Sequence, residues 1–380
     1  MLDAYLQWQL DALKSRSLYR DPDDAFARRE VAAAAAASGD SFIDASSNDY
    51  LGLAGASVSR ETGPSGAGAS RLVQGTRAEH VALEDELARW VGMPAALLFT
   101  SAYAANVGTM SALGGDDAVM ISDELNHASI IDGCRLARAQ VLVTPHLDLG
   151  AIDSALSSAR SNPVRWVVTE SYFSMDGDGP NLPALRALCD RHRAFLVVDE
   201  AHALGVFGDQ GAGRCAELGV RPDVLIGGLG KAVGSQGGFV AGSAALRAFL
   251  WNRARTFVFS TAPAPSLCRE ARAQVAAART ADQPRQRLHE NVRAFRAALK
   301  ELGVPVGEGS FGPIVPVRIG EGQRALEVAE RLRLRGVMAQ PIRPPSVPPG
   351  TARLRLTVTA DLARDDVKRL AERVAEAIRA

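Results

Sequence analysis

Between residues 95 and 241, short apolar runs alternate with stretches of helical periodicity, and few folds accept that pattern. The runs at 95–99, 118–121, 140–143, 164–168, 194–198, 223–226 and 238–241 are read as strands. Helical spacing fills most of the gaps, at 78–91, 102–113, 127–138 and 181–192. Strands alternating with helices predict an α/β fold, a mostly parallel sheet covered on both faces.

The flanks read differently. Leu2, Leu6, Leu10 and Leu13 share one side of a predicted amphipathic helix over the first fifteen residues. After about residue 283 a long helical pattern (285–302) leads to strand-like 313–319, helix-like 322–335, the Pro-rich 341–349, a strand at 353–358 and a last helix at 363–379. The expected division is an N-terminal helix and connection over 1–45, a large α/β domain over 46–283 and a small α+β domain over 284–380.

The longest apolar stretch, 31–37, is far short of the ~20 residues a membrane span needs. The start of the chain has no signal-peptide pattern, so neither export nor a membrane is expected. Lys+Arg and Asp+Glu both number 43, which leaves no global positive field to recruit nucleic acid. Cys134, Cys189, Cys215 and Cys268 are scattered with no C-x-x-C pair. Neither structural disulfides nor a cysteine zinc site, nor any other metal site, is expected, and the cytoplasm is the natural compartment.

Polar residues gather just after the apolar runs: Thr100-Ser101, Ser122-Asp123, Glu170-Ser171, Asp199-Glu200 and Gly228 to Lys231. In a parallel sheet these positions line the carboxyl edge, where open α/β folds bind ligands. Five loops distant in sequence are therefore expected to converge on one cleft.

Only four of the basic residues are lysines. Lys14, Lys300 and Lys368 lie in helical patterns among charged neighbours and are read as solvated. Lys231 instead follows the run Val224-Leu225-Ile226, inside a loop with Gly227, Gly228, Gly230 and Gly234. A lysine in a desolvated loop favours the neutral amine, the form that attacks a carbonyl carbon. A phosphate cradle of the G-x-x-x-x-G-K-[ST] type does not fit, because Leu225 stands at its first glycine and Ala232 follows the lysine. A structural lysine in a turn remains open on the loop alone.

Asp199 closes the run 194–198 and His202 follows in Asp199-Glu200-Ala201-His202. Such a carboxylate could cap a helix or hold a protonated pyridine nitrogen. His127 precedes a helical pattern, where it could be a cap, a surface residue, or a flat ring that stacks and moves protons. Ser101-Ala102-Tyr103 stands at a strand-to-helix junction, where backbone N–H groups bind phosphate.

The ordered set is specific. It runs Ser-Asn-Asp-Tyr-Leu-Gly (47–52), Phe-Thr-Ser-Ala-Tyr-Ala-Ala-Asn (99–106), Asn-His-Ala-Ser (126–129), Phe-Ser-Met-Asp-Gly-Asp (173–178), Asp-Glu-Ala-His (199–202), Gly-Lys (230–231) and Phe-Ser-Thr-Ala (259–262). It closes with Arg-Pro-Pro-Ser-Val-Pro-Pro-Gly-Thr-Ala-Arg-Leu-Arg-Leu-Thr (343–357). Over almost the whole chain this resembles the α-oxoamine synthase family of fold-type-I pyridoxal-phosphate enzymes, and segment 343–357 is most similar to its biotin-pathway branch.

The resemblance implies a pyridoxal 5'-phosphate cofactor held on Lys231, with Asp199 at the pyridine nitrogen and His202 at the phenolic oxygen. It implies that His127 stacks on the ring and assists at the substrate carbonyl. Backbone amides of Ala102 and Tyr103 would take the phosphate with Ser260 and Thr261, which in this family come from the partner subunit of a homodimer. Ser174 would line the cofactor site, and Arg20, Asn48, and Arg353 or Ser346 would manage substrate carboxylates.

The implied reaction is the decarboxylative condensation of L-alanine with a pimeloyl thioester of coenzyme A or acyl-carrier protein. Lys231 takes the α-proton and His127 steadies the developing oxyanion. Other synthases of the family use glycine or serine, and they share every cofactor residue. Gly228 stands where relatives commonly carry Thr or Ser, Ala102 where they often carry Gly, and Ser346 where many biotin-pathway members carry Thr. A silent binding scaffold would be expected to lack Lys231. A nicotinamide dehydrogenase would need more than Gly66 to Arg71, which starts like G-x-G-x-x-G but ends in Arg.

Overall fold

A computed structural model of the chain describes residues 2–16, 19, 27–37, 39–55, 63–344 and 346–380. The chain divides into two compact units. The larger holds Leu51–Ser174 and Gly179–Arg285, and the smaller holds Met1–Tyr50, Met175–Asp178 and Gln286–Ala380.

The larger unit is built on a seven-stranded sheet: β1 (Ala95–Phe99), β2 (Ala118–Asp123), β3 (Gln140–Thr144), β4 (Val164–Glu170), β5 (Phe195–Asp199), β6 (Val224–Gly228) and β7 (Gly238–Gly242). Their order across the sheet is β1-β7-β6-β5-β4-β2-β3. Strands β3, β2, β4, β5 and β6 are parallel, whereas β7 runs antiparallel to both its neighbours, β6 and β1. The apolar run at 238–241 gave no hint of that reversal. Its cause is the connection 229–237, too short for the crossover a parallel partner needs, so the chain turns straight back.

Side chains alternate between the two faces of the sheet, as the pleat requires. Met120, Val168 and Val197 pack on one side with Met110 and Ile130 from helices Ala102–Leu113 and Ala128–Leu136. Val119, Ile121, Val167, Leu196 and Val198 pack on the other with Ile152, Leu156, Leu182 and Leu185 from helices Leu149–Ser158 and Leu182–His192. Both faces are thus buried, which is why these strands read as unbroken apolar runs. Around β1 and β7, Leu98, Phe239 and Ala241 pack with Leu83, Leu87, Ala271 and Val275 of helices Ala78–Trp90 and Pro265–Arg279.

The smaller unit carries an antiparallel sheet in the order Gln340–Ile342, Ala352–Thr357, Ile314–Gly320. The last helix, Arg364–Arg379, buries Val367, Leu370, Ala371 and Val374 and keeps its charged residues outside, as its 3.6-residue period requires. Ile43–Asp44 pairs in parallel with Val337–Met338. Helix Leu2–Ser15 has no buried residue, and Leu2, Leu6, Leu10 and Leu13 are exposed. No helix among the described residues is long and apolar enough to cross a membrane.

Candidate active site

The carboxyl ends of β1, β2, β4, β5 and β6 carry Phe99, Asp123, Glu170, Asp199 and Gly228, and the sequence-predicted cluster grows from this edge. Lys231 sits in the return between β6 and β7. The loop is closed by Leu229 N–H donating to Gly237 O (3.0 Å), Ser235 N–H to Leu229 O (2.9 Å) and Gly234 N–H to Lys231 O (2.8 Å). Gly234 has φ +71°, and a Cβ there would lie 2.6 Å from the Ala54 nitrogen, so only glycine completes this turn. Lys14, Lys300 and Lys368 are exposed, whereas Lys231 is half-buried.

Asp199 is buried at the end of β5. Its Oδ1 accepts the Ala201 N–H at 2.7 Å and its Oδ2 accepts the Asn106 side-chain amide at 2.7 Å. The same Asn106 nitrogen donates to Ser129 Oγ at 2.9 Å, and Ser129 Oγ lies 2.7 Å from His127 Nδ1. His127 caps helix Ala128–Leu136, and its backbone N–H donates to Glu170 Oε1 at 2.6 Å.

Charges tie these groups together. Burial pushes the His127 imidazole below its ordinary pKa. The Lys231 ammonium acts in the same direction, and the Asp199 and Asp132 carboxylates oppose it. Burial also holds the Glu170 carboxyl well above the usual carboxylate range, with Asp199 pushing the same way and Lys231 opposing. Lys231, Asp199, His127 and Glu170 therefore share one electrostatic neighbourhood. His202 is buried in the turn after β5, and Ser174 is buried too.

Ala102 and Tyr103 open helix Ala102–Leu113. Ser101 Oγ accepts the Ala104 N–H at 3.0 Å and Ser101 O accepts that of Ala105 at 3.0 Å, which leaves the two amides ahead of them at the helix start. Gly238 of β7 passes against this turn so closely that a Cβ would fall 2.3 Å from the Ala102 nitrogen. The exposed Tyr103 donates its phenol to Asp132 Oδ2, and that bond raises the phenol's pKa.

Other predicted residues lie elsewhere or are engaged. Ser260 is half-buried and Thr261 exposed, and Thr261 pairs with Ser70 through a single antiparallel bridge. In the smaller unit, Asn48 Oδ1 accepts from Arg355 at 2.8 Å, and Arg353 is buried in an ion pair with Asp176. Ser346 follows Arg343 in a turn closed by Ser346 N–H donating to Arg343 O at 3.0 Å. Arg20 lies outside the described residues.

Asn106, Ser129 and Glu170 have no role in the sequence reading, although each falls inside a motif or at a strand end noted there. One signal was available for Asn106: it is the one amide side chain in an uncharged helix, one turn beyond Ala102.

The residues present fit pyridoxal phosphate. An amine, a carboxylate pinned at both oxygens, an imidazole held at Nδ1 and a helix start match, in turn, an aldehyde, a pyridine nitrogen, a ring face and a phosphate. The Asn106 Oδ1 beside Asp199 is buried without a partner among the described residues, a further polar atom available there.

Comparison with known proteins agrees with this chemistry. The family model for aminotransferase class I and II matches residues 40–374. The chain is 40% identical over 380 residues to 8-amino-7-oxononanoate synthase 2 of Bacillus subtilis, covering 97% of this chain and 96% of that one. It is 46% identical over 332 residues to the 8-amino-7-oxononanoate synthase of Anaeromyxobacter dehalogenans, covering 85% and 83%. Among solved structures, a serine palmitoyltransferase variant from S. paucimobilis with a bound PLP–myriocin aldimine superposes with a TM-score of 0.84 at 30% identity, covering 89% of this chain and 87% of that one. The 8-amino-7-oxononanoate synthase of Francisella tularensis shares the fold with a TM-score of 0.77 at 24% identity, covering 89% and 98%.

Proposed function

The chain belongs to the class I and II aminotransferase family, on its α-oxoamine synthase branch, and from that membership we propose that it makes 8-amino-7-oxononanoate for biotin synthesis. It is a pyridoxal-phosphate-dependent acyltransferase that joins L-alanine to a pimeloyl thioester, with loss of carbon dioxide and the free thiol. The observation that carries this reading is 40–46% identity to 8-amino-7-oxononanoate synthases over most of the chain. The grouping of Lys231, Asp199 and His127 on one sheet edge supports it.

Lys231 holds the cofactor's aldehyde carbon, Asp199 keeps a proton on the pyridine nitrogen, and His202 meets the phenolic oxygen. The amides of Ala102 and Tyr103 take the phosphate, with Ser260 and Thr261 of the second copy in a homodimer, and Ser174 lines the site. Pyridoxal phosphate, when bound, supplies the electron sink that lets an amino acid give up its α-proton. The Lys231 amine would be the base at that proton. His127 would stack on the ring and donate to the oxygen of the thioester carbonyl as charge develops there. Arg20, Asn48, and Arg353 or Ser346 receive the carboxylates of the substrates. Four free, buried cysteines suit a reducing compartment, and we place the enzyme in the cytoplasm.

The test is product identity by mass. Purified protein is given pimeloyl-CoA or pimeloyl-carrier protein with L-alanine, glycine or L-serine in separate reactions. Turnover with alanine supports the proposal. Turnover confined to glycine or serine overturns the substrate assignment in favour of another synthase of the same branch, the reading that the serine palmitoyltransferase likeness supports.

A further inference from the structure

We propose that Asn106 and Ser129 are positioning residues that fix the His127 ring with its proton on Nε2, so that the ring serves as a hydrogen-bond donor there. The inference deepens the reading above, because it rests on His127 being the ring residue of the cofactor site.

Proton counting along the chain of contacts leads to it. Asn106 is 1% exposed and Ser129 is fully buried, so neither can turn to water for a partner. The Asn106 amide must face Asp199 with its nitrogen, since its oxygen would meet a carboxylate there. Its two hydrogens are then spent, one on Asp199 Oδ2 at 2.7 Å and one on Ser129 Oγ at 2.9 Å. Ser129 Oγ, accepting from Asn106, has a single hydrogen to give, and His127 Nδ1 lies 2.7 Å away. The Ser129 backbone N–H also points at that nitrogen, at 3.2 Å. Two donors converge on Nδ1, so it carries no hydrogen. The neutral ring must keep its hydrogen on Nε2.

The arrangement has a functional consequence. Asp199, at the far end of the relay, is the group assigned to the pyridine nitrogen, and His127 is assigned to the substrate carbonyl. One buried amide therefore orders both. A His127 free to exchange tautomers would offer an acceptor at Nε2 part of the time, the wrong polarity for an oxyanion.

The experiment is histidine side-chain NMR on the cofactor-loaded enzyme, labelled with ¹⁵N-histidine and recorded without substrate. Only six histidines are present, and the His127 signals are assigned by their loss in His127→Gln. The expected result is a single neutral tautomer with the hydrogen on Nε2. Ser129→Ala should convert it to a mixture or shift both nitrogens, and Ser129→Thr, which keeps the hydroxyl, should restore the original pattern. A hydrogen on Nδ1 in the unsubstituted enzyme overturns the proposal, as does an unchanged pattern in a folded Ser129→Ala. Should Ser129→Ala not fold, the spectrum of the unsubstituted enzyme decides alone. The measurement uses no amino acid or thioester, so a failed condensation assay with an intact Nε2 tautomer would sink the reaction and not the relay.

Discussion

A Cβ built on Gly228 would come to rest 3.4 Å from the Cβ of Ala102 and 3.1 Å from that of Ala201. Both departures from the family pattern thus meet at one point: the hydroxyl-bearing residue expected at 228 is absent, and a methyl stands at 102. Gly228 shows no left-handed φ, so its backbone accepts a side chain, and space alone is limiting. Gly228→Thr by itself should lower stability by ~1–3 kcal/mol, the usual cost of overpacking. Gly228→Thr with Ala102→Gly removes only the 3.4 Å contact and leaves Ala201 in place, so it should recover only part of that loss. It should also bind pyridoxal phosphate about tenfold more tightly, since a hydroxyl bonded to a charged group contributes ~1.5 kcal/mol or more. Thermal unfolding and cofactor titration of the two variants decide it. Equal cofactor affinity in the double variant and the unsubstituted chain would mean that residue 228 does not face the phosphate.

Lysine chemistry is tested by contrast. Lys231 is half-buried in a glycine-bounded loop, whereas Lys300 is exposed on helix Asp282–Glu301. The cofactor-loaded protein should be yellow and lose its colour on borohydride reduction. Peptide mapping should then find the added mass on the fragment containing Lys231 and on no other. Lys231→Ala should abolish turnover, and Lys300→Ala should leave kcat and KM within error. Label on any other lysine removes the basis for the assignment.

Much of the fold was legible because strands buried on both faces leave continuous apolar runs, and the helices between them keep a 3.6-residue period. The run at 238–241 looks like its parallel neighbours, yet β7 is reversed, because direction is set by connection length and not by side-chain pattern. Lys231 and Asp199 stood out because each follows or ends an apolar run, and His127 because it opens a helical pattern. Asn106, Ser129 and Glu170 did not, because their importance lies in hydrogen bonds to partners far away in sequence, such as Asp199 and His127. Arg353 shows the opposite limit. A motif singles it out, but only coordinates reveal that Asp176 already occupies its guanidinium.

That ion pair makes a stability prediction. The Arg353 side chain is 6% exposed and that of Asp176 is 24% exposed, so removing one partner strands the other in a poorly solvated place. Arg353→Met and Asp176→Asn should each cost about 3 kcal/mol, and the double variant should cost clearly less than their sum. Urea unfolding of the three proteins measures this directly. If Arg353 acts chiefly on a substrate carboxylate, Asp176→Asn should instead lower KM, because it releases the guanidinium. Additive losses would show that the two side chains do not depend on each other.

Glu170 ties pH to stability. Its Oε1 accepts the His127 N–H at 2.6 Å, and burial, with Asp199 beside it, holds the carboxyl well above the ordinary range. The folded state therefore binds a proton that the unfolded chain releases near pH ~4.3. Stability from this group is complete below the unfolded value and declines as pH rises through the folded one. Glu170→Gln resembles the protonated acid in shape and charge and keeps an oxygen for the His127 N–H. The variant should lose that part of the decline: it should match the parent in acid and become the more stable of the two as pH rises. Denaturant unfolding across the pH range gives the comparison, with the difference between the two proteins as the readout. A gap that narrows with rising pH would mean that Glu170 is ionised in the folded enzyme and that Lys231, not burial, governs it.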